Sequence, residues 1–194
     1  MMSNSFYSQE ELRSIGFQNL GKQVYISRKA SIYGAEKIVI GNHVRIDDFC
    51  ILSGRIQLGS YIHIAAYSAI YGDTEGVIIE DFANISSRVS IYSVSDDYSG
   101  KTLTNPMIPL EYKNIYSKKV NIGKHVIVGA TSVVLPGVTL AEGSAFGSFS
   151  FIDHDSEPWS VNIGIPFRKI KDRKKELLNL EKDFLDEKKN VEID

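Results

Sequence analysis

Aliphatic side chains recur at every sixth position between Ile40 and Tyr71: Ile40, Ile46, Leu52, Leu58, Ile64 and Ile70. Four residues after each comes a small or apolar one: Val44, Cys50, Ile56, Ile62, Ser68 and Thr74. A period of six matches neither an amphipathic helix nor the alternation of an ordinary strand. It matches a parallel β-helix, in which each six-residue piece forms one flat face and turns its first and fifth side chains inward. One coil cannot bury such a strip, whereas stacked coils bury it continuously. The predicted class is all-β, a parallel β-helix of hexapeptide repeats forming a single domain over residues 1–194.

The period extends in both directions. Leu20, Ile26 and Ile32 lie six apart, with Val24 and Ala30 at fifth positions, and two extra residues intervene before Ile40. After Ile70 the phase slips by three and resumes at Ile79, Ile85 and Ile91. It returns from Ile122 as IGKHVI, VGATSV, VLPGVT, LAEGSA and FGSFSF. Coils are therefore expected over 20–96 and 120–155. Between them, residues 97–119 show no period and carry Pro106, Pro109, Tyr98, Tyr112 and Tyr116. A structureless stretch this long is functional or disordered, and its aromatic and aliphatic content argues against disorder. It reads as an ordered excursion that packs on a neighbouring subunit.

Helices are expected at both ends. Ser8-Gln9-Glu10-Glu11 has the form of a capping box, with Tyr7 and Leu12 placed as a hydrophobic staple. Gly16 suits the C-cap, so a short helix over 8–16 should plug the open end of the core. From Lys169 onward Ile170, Leu177, Leu178, Leu180, Phe184 and Leu185 form an apolar stripe among charges. This predicts a C-terminal α-helix over 169–188.

Composition narrows the partners. A 43% hydrophobic content in 194 residues supports one domain with a core. A net charge of −2 gives no reason to expect nucleic acid or an anionic membrane. No apolar run is long enough to span a bilayer, and the start MMSNSFYSQEEL is too polar for a secretory signal. Cys50 is the single cysteine and sits at an inward position, so it reads as a buried apolar residue. With no disulfide possible within the chain, a cytoplasmic location is expected.

The repeats, their long interruption and the ending GIPFRKIK resemble the hexapeptide-repeat acyltransferases over about residues 20–175. The stretches RIDDFCILSG, HIAAYSA and YSVSDDYSG, with the TNP that follows, are most similar to dTDP-4-amino-4,6-dideoxyglucose N-acetyltransferases, which serve bacterial surface polysaccharides. The resemblance implies a left-handed coil, a homotrimer with active sites between subunits, acetyl-CoA as acyl donor, a nucleotide-linked amino sugar as acceptor and no metal. By position after Pro166 it implies that Arg168 and Lys171 bind the CoA phosphates. It also places the pantetheine arm along Gly129-Ala130 and Gly147-Ser148. Asp153-His154 stands where the family often has Thr-Lys, and Ile127 where it has a stacking Trp, so those side-chain contacts do not carry over.

Sugar O-acetyltransferases of this fold carry a histidine at the sixth position of the last repeat before the loop. Here that position is Asp96, followed by Asp97. The acceptor-binding Asn of those enzymes falls on Ala65 and an acceptor-binding Asp falls on Asp73. A sugar hydroxyl has a very high pKa and is helped by a base poised near neutrality. A neutral amine is already nucleophilic, and the ammonium formed by its attack can hand a proton to a carboxylate. Asp96 and Asp97 therefore favour an amino acceptor, although an Asp pair also suits a turn entering a loop.

His63 shares the sixth position in its repeat and stacks below Asn84 and Ile127, where it could face a neighbour's Asp96. It is a catalytic or positioning candidate, and Asn84, Tyr98, Asn105 and Tyr112 are candidates for holding the acceptor. His43 and His125 occupy fourth positions and read as surface turn residues. The oxyanion formed on the thioester needs a backbone N–H, for which Ala130 and Ser148 are candidates. Three further readings stay open: O-acetylation of a sugar hydroxyl with His63 as base, a zinc hydrase on the same prism, and a trimeric scaffold without activity. The zinc reading needs three converging histidines, and the four present are scattered.

Overall fold

The computed structural model describes residues 5–191, so positions 1–4 of the polar start lie outside the described residues. The sixfold period is realised as a parallel β-solenoid of short strands stacked coil on coil. They form an eight-stranded and a ten-stranded sheet. The larger sheet wraps two faces because Ile51–Leu58 and Ala69–Ile79 run through a corner and pair on both sides of it.

First-position side chains make three inward ladders. Ile26, Ile46, Ile64, Ile85 and Val128 line one face, Leu52, Ile70, Ile91, Val134 and Ile152 the second, and Ile40, Leu58, Ile79, Ile122 and Leu140 the third. All are buried, and each contributes about 1.5–3 kcal/mol on leaving water. Fourth positions turn the corners in the left-handed conformation, with φ 56° at His43, 58° at Tyr61 and 60° at both Phe82 and His125. A side chain at such a φ is strained. Stacking between coils offsets the strain: His43 lies 4.6 Å from Tyr61, Tyr61 4.8 Å from Phe82, and Phe82 5.2 Å from His125, centroid to centroid.

The interruptions of the period are local. The two extra residues before Ile40 are taken up by a left-handed Gly34 and a 3-10 turn over Ala35–Lys37. The slip after Ile70 is taken up inside one strand, where pairing passes from Ser53–Tyr71 to Gly54–Asp73 and leaves Gly72 as the extra residue. This corrects the expectation for Thr74: it is exposed, and Val77 takes the inward place.

At the N-terminal end α1 spans Gln9–Ile15, with both halves of the capping box formed and Gly16 left-handed at its C-cap. Leu12 is fully buried and plugs the first coil. Just before the helix the chain lies antiparallel on that coil, with a bridge between Phe6 and Ser27 and the Tyr7 amide donating to the Ile26 carbonyl.

The other end departs from expectation. Residues Arg168–Asp172 are not helical but form a strand antiparallel to Ser160–Ile163, and α2 spans Leu177–Val191. The last coil offers unpaired backbone groups at its edge, and satisfying them outweighs helix propensity. Beside this strand the Phe167 amide donates to the Phe151 carbonyl, and the Phe151 amide to that of Gly164. Helix α2 lies across the aromatic corner, with Phe184 edge-on to Tyr61 and Phe82. It covers His125, which is buried and hydrogen-bonded to Glu181, so that histidine is not a surface turn residue. Among the described residues no helix is long and apolar enough to cross a membrane.

Candidate active site

The excursion begins and ends as an antiparallel pair, Val94–Ser95 with Tyr116–Ser117, so it leaves and rejoins the prism at one place. Within it Leu110–Tyr112 form a 3-10 turn. It arches over the outward face of the ten-stranded sheet and encloses a cavity of about 780 Å³. The floor is Tyr71, Tyr92, Val133, Leu135 and Pro136, and the roof includes Tyr98, Asn105, Pro106, Lys113 and Ile115. Tyr71 and Tyr92 stack with centroids 5.0 Å apart and planes 12° from parallel, because register places them one above the other.

Asp96 lines this cavity, and no hydrogen bond or ion pair occupies its carboxylate among the described residues. Asp97 is different. Its carboxylate accepts from the Ser99 amide at 2.8 Å, the Ser99 hydroxyl at 2.9 Å and the Thr102 hydroxyl at 3.1 Å. The bonds from Ser99 and Thr102 hold its pKa below the ordinary value. Asp97 thus folds the loop entrance, and only Asp96 offers a free carboxylate to the cavity.

Other candidates are dispersed. Tyr98 and Asn105 line the cavity, whereas Tyr112 lies in a separate depression with Lys101 and Glu111. Asp73 accepts from the Ser117 hydroxyl at 3.1 Å and so ties the returning strand to the prism. His63 stands on the eight-stranded sheet, in an outward column of Arg45, His63, Asn84, Ile127 and Ala145. Asp47 clamps its ring: one oxygen lies 2.8 Å from His63 Nε2 and the other accepts from Arg45 Nε at 2.7 Å. Burial works to raise the Asp47 pKa, but these two bonds outweigh it and the net shift is downward. Asn84 and Ile127 also line a smaller cavity beneath α2.

The small residues have a structural reason of their own. A Cβ on Gly129 would stand 2.5 Å from the Ser148 amide, and one on Gly147 would stand 2.7 Å from Ile163 Cγ2, so coil stacking alone requires glycine. Ala130 accepts the Phe149 amide, and Ser148 is exposed. Where the family often has Thr-Lys, Asp153 pairs with His154, whose ring stacks on Phe167 at 4.0 Å.

At the far end, Ile163 opposes Arg168 and Val161 opposes Lys171, with Ile170 extra at a bulge. Without a bulge, residues three apart on a strand point to opposite faces. The bulge brings Arg168 and Lys171 to the same face. Neither has an ion pair among the described residues, whereas Lys169 between them is held by Glu157 and Asp172. Hydrogen bonds to those two carboxylates push the Lys169 pKa up to about 12.

The sequence reading missed the tyrosine floor, Lys113 and the Asp47 clamp. The recurrent Ile-Tyr of Ile70-Tyr71 and Ile91-Tyr92 was a signal for the floor. No group of three or more potential metal ligands converges among the described residues.

No family model matches the chain. It is 51% identical over 183 residues to a dTDP-4-amino-4,6-dideoxy-D-glucose acyltransferase of Escherichia coli, covering 93% of this chain and 95% of that protein. The crystal structure of AntD, an N-acyltransferase from Bacillus cereus in complex with dTDP and 3-hydroxybutyryl-CoA, superposes with a TM-score of 0.94 at 53% identity, covering 96% and 99% of the two chains. A serine-to-alanine variant of that enzyme, in complex with dTDP-4-amino-4,6-dideoxyglucose and coenzyme A, superposes with a TM-score of 0.93, also at 53% identity, over 95% and 99%. With this agreement extending through loop, coils and C-terminal hairpin, the chain belongs to the dTDP-4-amino-4,6-dideoxy-D-glucose acyltransferases of the hexapeptide-repeat type.

Proposed function

We propose that this chain transfers an acyl group from an acyl-CoA to the 4-amino group of dTDP-4-amino-4,6-dideoxyglucose. The observation that carries the reading is the near-full-length identity to relatives of that named activity, joined to a single free carboxylate, Asp96, in the loop cavity. The neutral amine attacks the thioester carbonyl, and a backbone N–H stabilises the oxyanion. The carbon–sulfur bond then breaks, Asp96 accepts the proton of the acylated nitrogen, and the thiolate leaves to be protonated as free CoA. Unpaired Arg168 and Lys171 suit the CoA phosphates. Tyr98 and Asn105 hold the acceptor from the loop side.

Active sites between subunits of a homotrimer complete the reading. Tyr98, Met107 and Leu110 on the loop are 93%, 88% and 72% exposed, so the excursion offers an apolar surface to a second copy. In that arrangement His63 of one subunit faces the cavity of the next. The Asp47 clamp favours one competing reading, O-acylation of a sugar hydroxyl with His63 as base, because a carboxylate fixes and charges an imidazole in that role.

The test is thiol release from acetyl-CoA and from 3-hydroxybutyryl-CoA. Acceptors are dTDP-4-amino-4,6-dideoxyglucose, its 3-amino isomer and a simple galactoside. The 4-amino nucleotide sugar should be turned over preferentially, and Asp96→Asn should lower kcat by roughly a hundredfold or more. Turnover of the galactoside alone, abolished by His63→Asn, would replace the amine reading with the hydroxyl one.

A further inference from the structure

We propose that the pyrimidine base of the acceptor nucleotide is gripped in a slot between Tyr33 and Tyr71, with Ser53 as its floor. The inference rests on the nucleotide-sugar reading and assigns one part of that ligand to one place. Strand register puts Tyr33, Ser53, Tyr71 and Tyr92 in a single outward column, one per coil. Where adjacent coils both carry a ring the rings touch, as Tyr71 and Tyr92 do at 5.0 Å. At Ser53 the column lacks a ring.

Coils stack about 4.8 Å apart, so Tyr33 and Tyr71 stand about 9.6 Å apart across that gap. One flat heteroaromatic ring takes up such a space with a stacking face on each side. Nothing of this chain fills it: Tyr33 is 60% exposed. The residues following Ser53 and Tyr71 are Gly54 and Gly72, so no side chain leans in from the next position. The Ser53 hydroxyl has no hydrogen-bond partner among the described residues and can donate to or accept from a base edge.

Two planar bases belong to this chemistry, the pyrimidine of the acceptor and the adenine of CoA. The geometry favours the pyrimidine. Tyr71 also lines the cavity that holds Asp96, so a base in the slot continues directly into the acceptor site. The unpaired cations suited to CoA phosphates lie at the other end of the prism, on the strand beyond the last coil.

Calorimetric titration of dTDP and, separately, of CoA decides the matter, with wild type, Tyr33→Ala, Tyr33→Phe and Ser53→Leu compared. Loss of one base–aromatic stack should weaken dTDP roughly tenfold in Tyr33→Ala, while Tyr33→Phe stays within about twofold because its ring is kept. Ser53→Leu fills the slot and should weaken dTDP by at least about tenfold. CoA affinity should be unchanged throughout, which also shows that the variants are folded. Unchanged dTDP affinity in both Tyr33→Ala and Ser53→Leu would overturn the slot and leave the nucleotide-sugar reading standing. Weakened CoA with unchanged dTDP would overturn the assignment in favour of adenine. A wild-type protein that binds no dTDP would overturn both readings together.

Discussion

Asp96 and Asp97 are adjacent and chemically identical, yet the fold gives them different work. Three hydrogen bonds consume the Asp97 carboxylate in the turn that opens the loop, and none reaches that of Asp96. Asp97→Asn should therefore lower kcat by less than about tenfold while making residues 97–119 more sensitive to protease, whereas Asp96→Asn should remove turnover and leave protease sensitivity unchanged. Cys50 makes a second prediction at this scale. Burial pushes its thiol up to about 11, so it should resist thiol reagents at pH 8 in the folded protein and react fully in denaturant. Phase in the hexapeptide was enough to locate Asp96, His63 and the inward Cys50. It did not separate Asp96 from Asp97, because that depends on which oxygen atoms the Ser99 and Thr102 donors reach. Nor did it show Asp47 gripping His63, since the two meet only when one coil lies on the next.

Each coil is specified by its own six-residue strips, and coils were accordingly the most legible elements. The capping box likewise marked α1 through residues that touch one another. Beyond the last coil, an apolar stripe placed a helix from Lys169, but Arg168–Asp172 pairs with a strand edge instead. Side-chain pattern carries no record of an unpaired edge. His125 was misjudged for a related reason, since the helix that buries it lies far along the chain. That helix is fastened by polar contacts: Glu181 to His125 and Lys124, and Arg173 to the His125 and Gly143 carbonyls. Burial works to raise the Glu181 pKa, yet the hydrogen bonds from Lys124 and His125 outweigh it, and the net shift is downward. A carboxyl whose folded pKa is depressed adds stability above its unfolded value, and that stability is lost as pH falls through the folded one. Helix docking should accordingly weaken as pH drops below about 4.5, read by proteolysis at the C-terminus or by the melting temperature. Glu181→Gln should be less stable than wild type at pH 7 and show a flatter pH dependence over that range.

At the scale of the whole molecule, the loop's exposed apolar residues predict self-association. Sedimentation should give three times the mass of one chain, and Leu110→Asp with Met107→Asp should shift the protein toward monomer and lower activity in proportion. A neighbouring copy leaves no periodic mark in one sequence, which is why the subunit interface was legible only as a stretch without a period. Both ends of the solenoid carry a segment laid against the direction of the coils: residues 5–7 at one end and Arg168–Asp172 at the other. A stack of parallel strands has no intrinsic length, and each bare end is a template for the next molecule's first coil. The reversed segments stop that growth. Truncation before Gly164 should release it, giving end-to-end fibres that bind thioflavin, while point changes on the prism faces should not. The same hairpin that presents Arg168 and Lys171 therefore also keeps the protein a discrete particle rather than a filament.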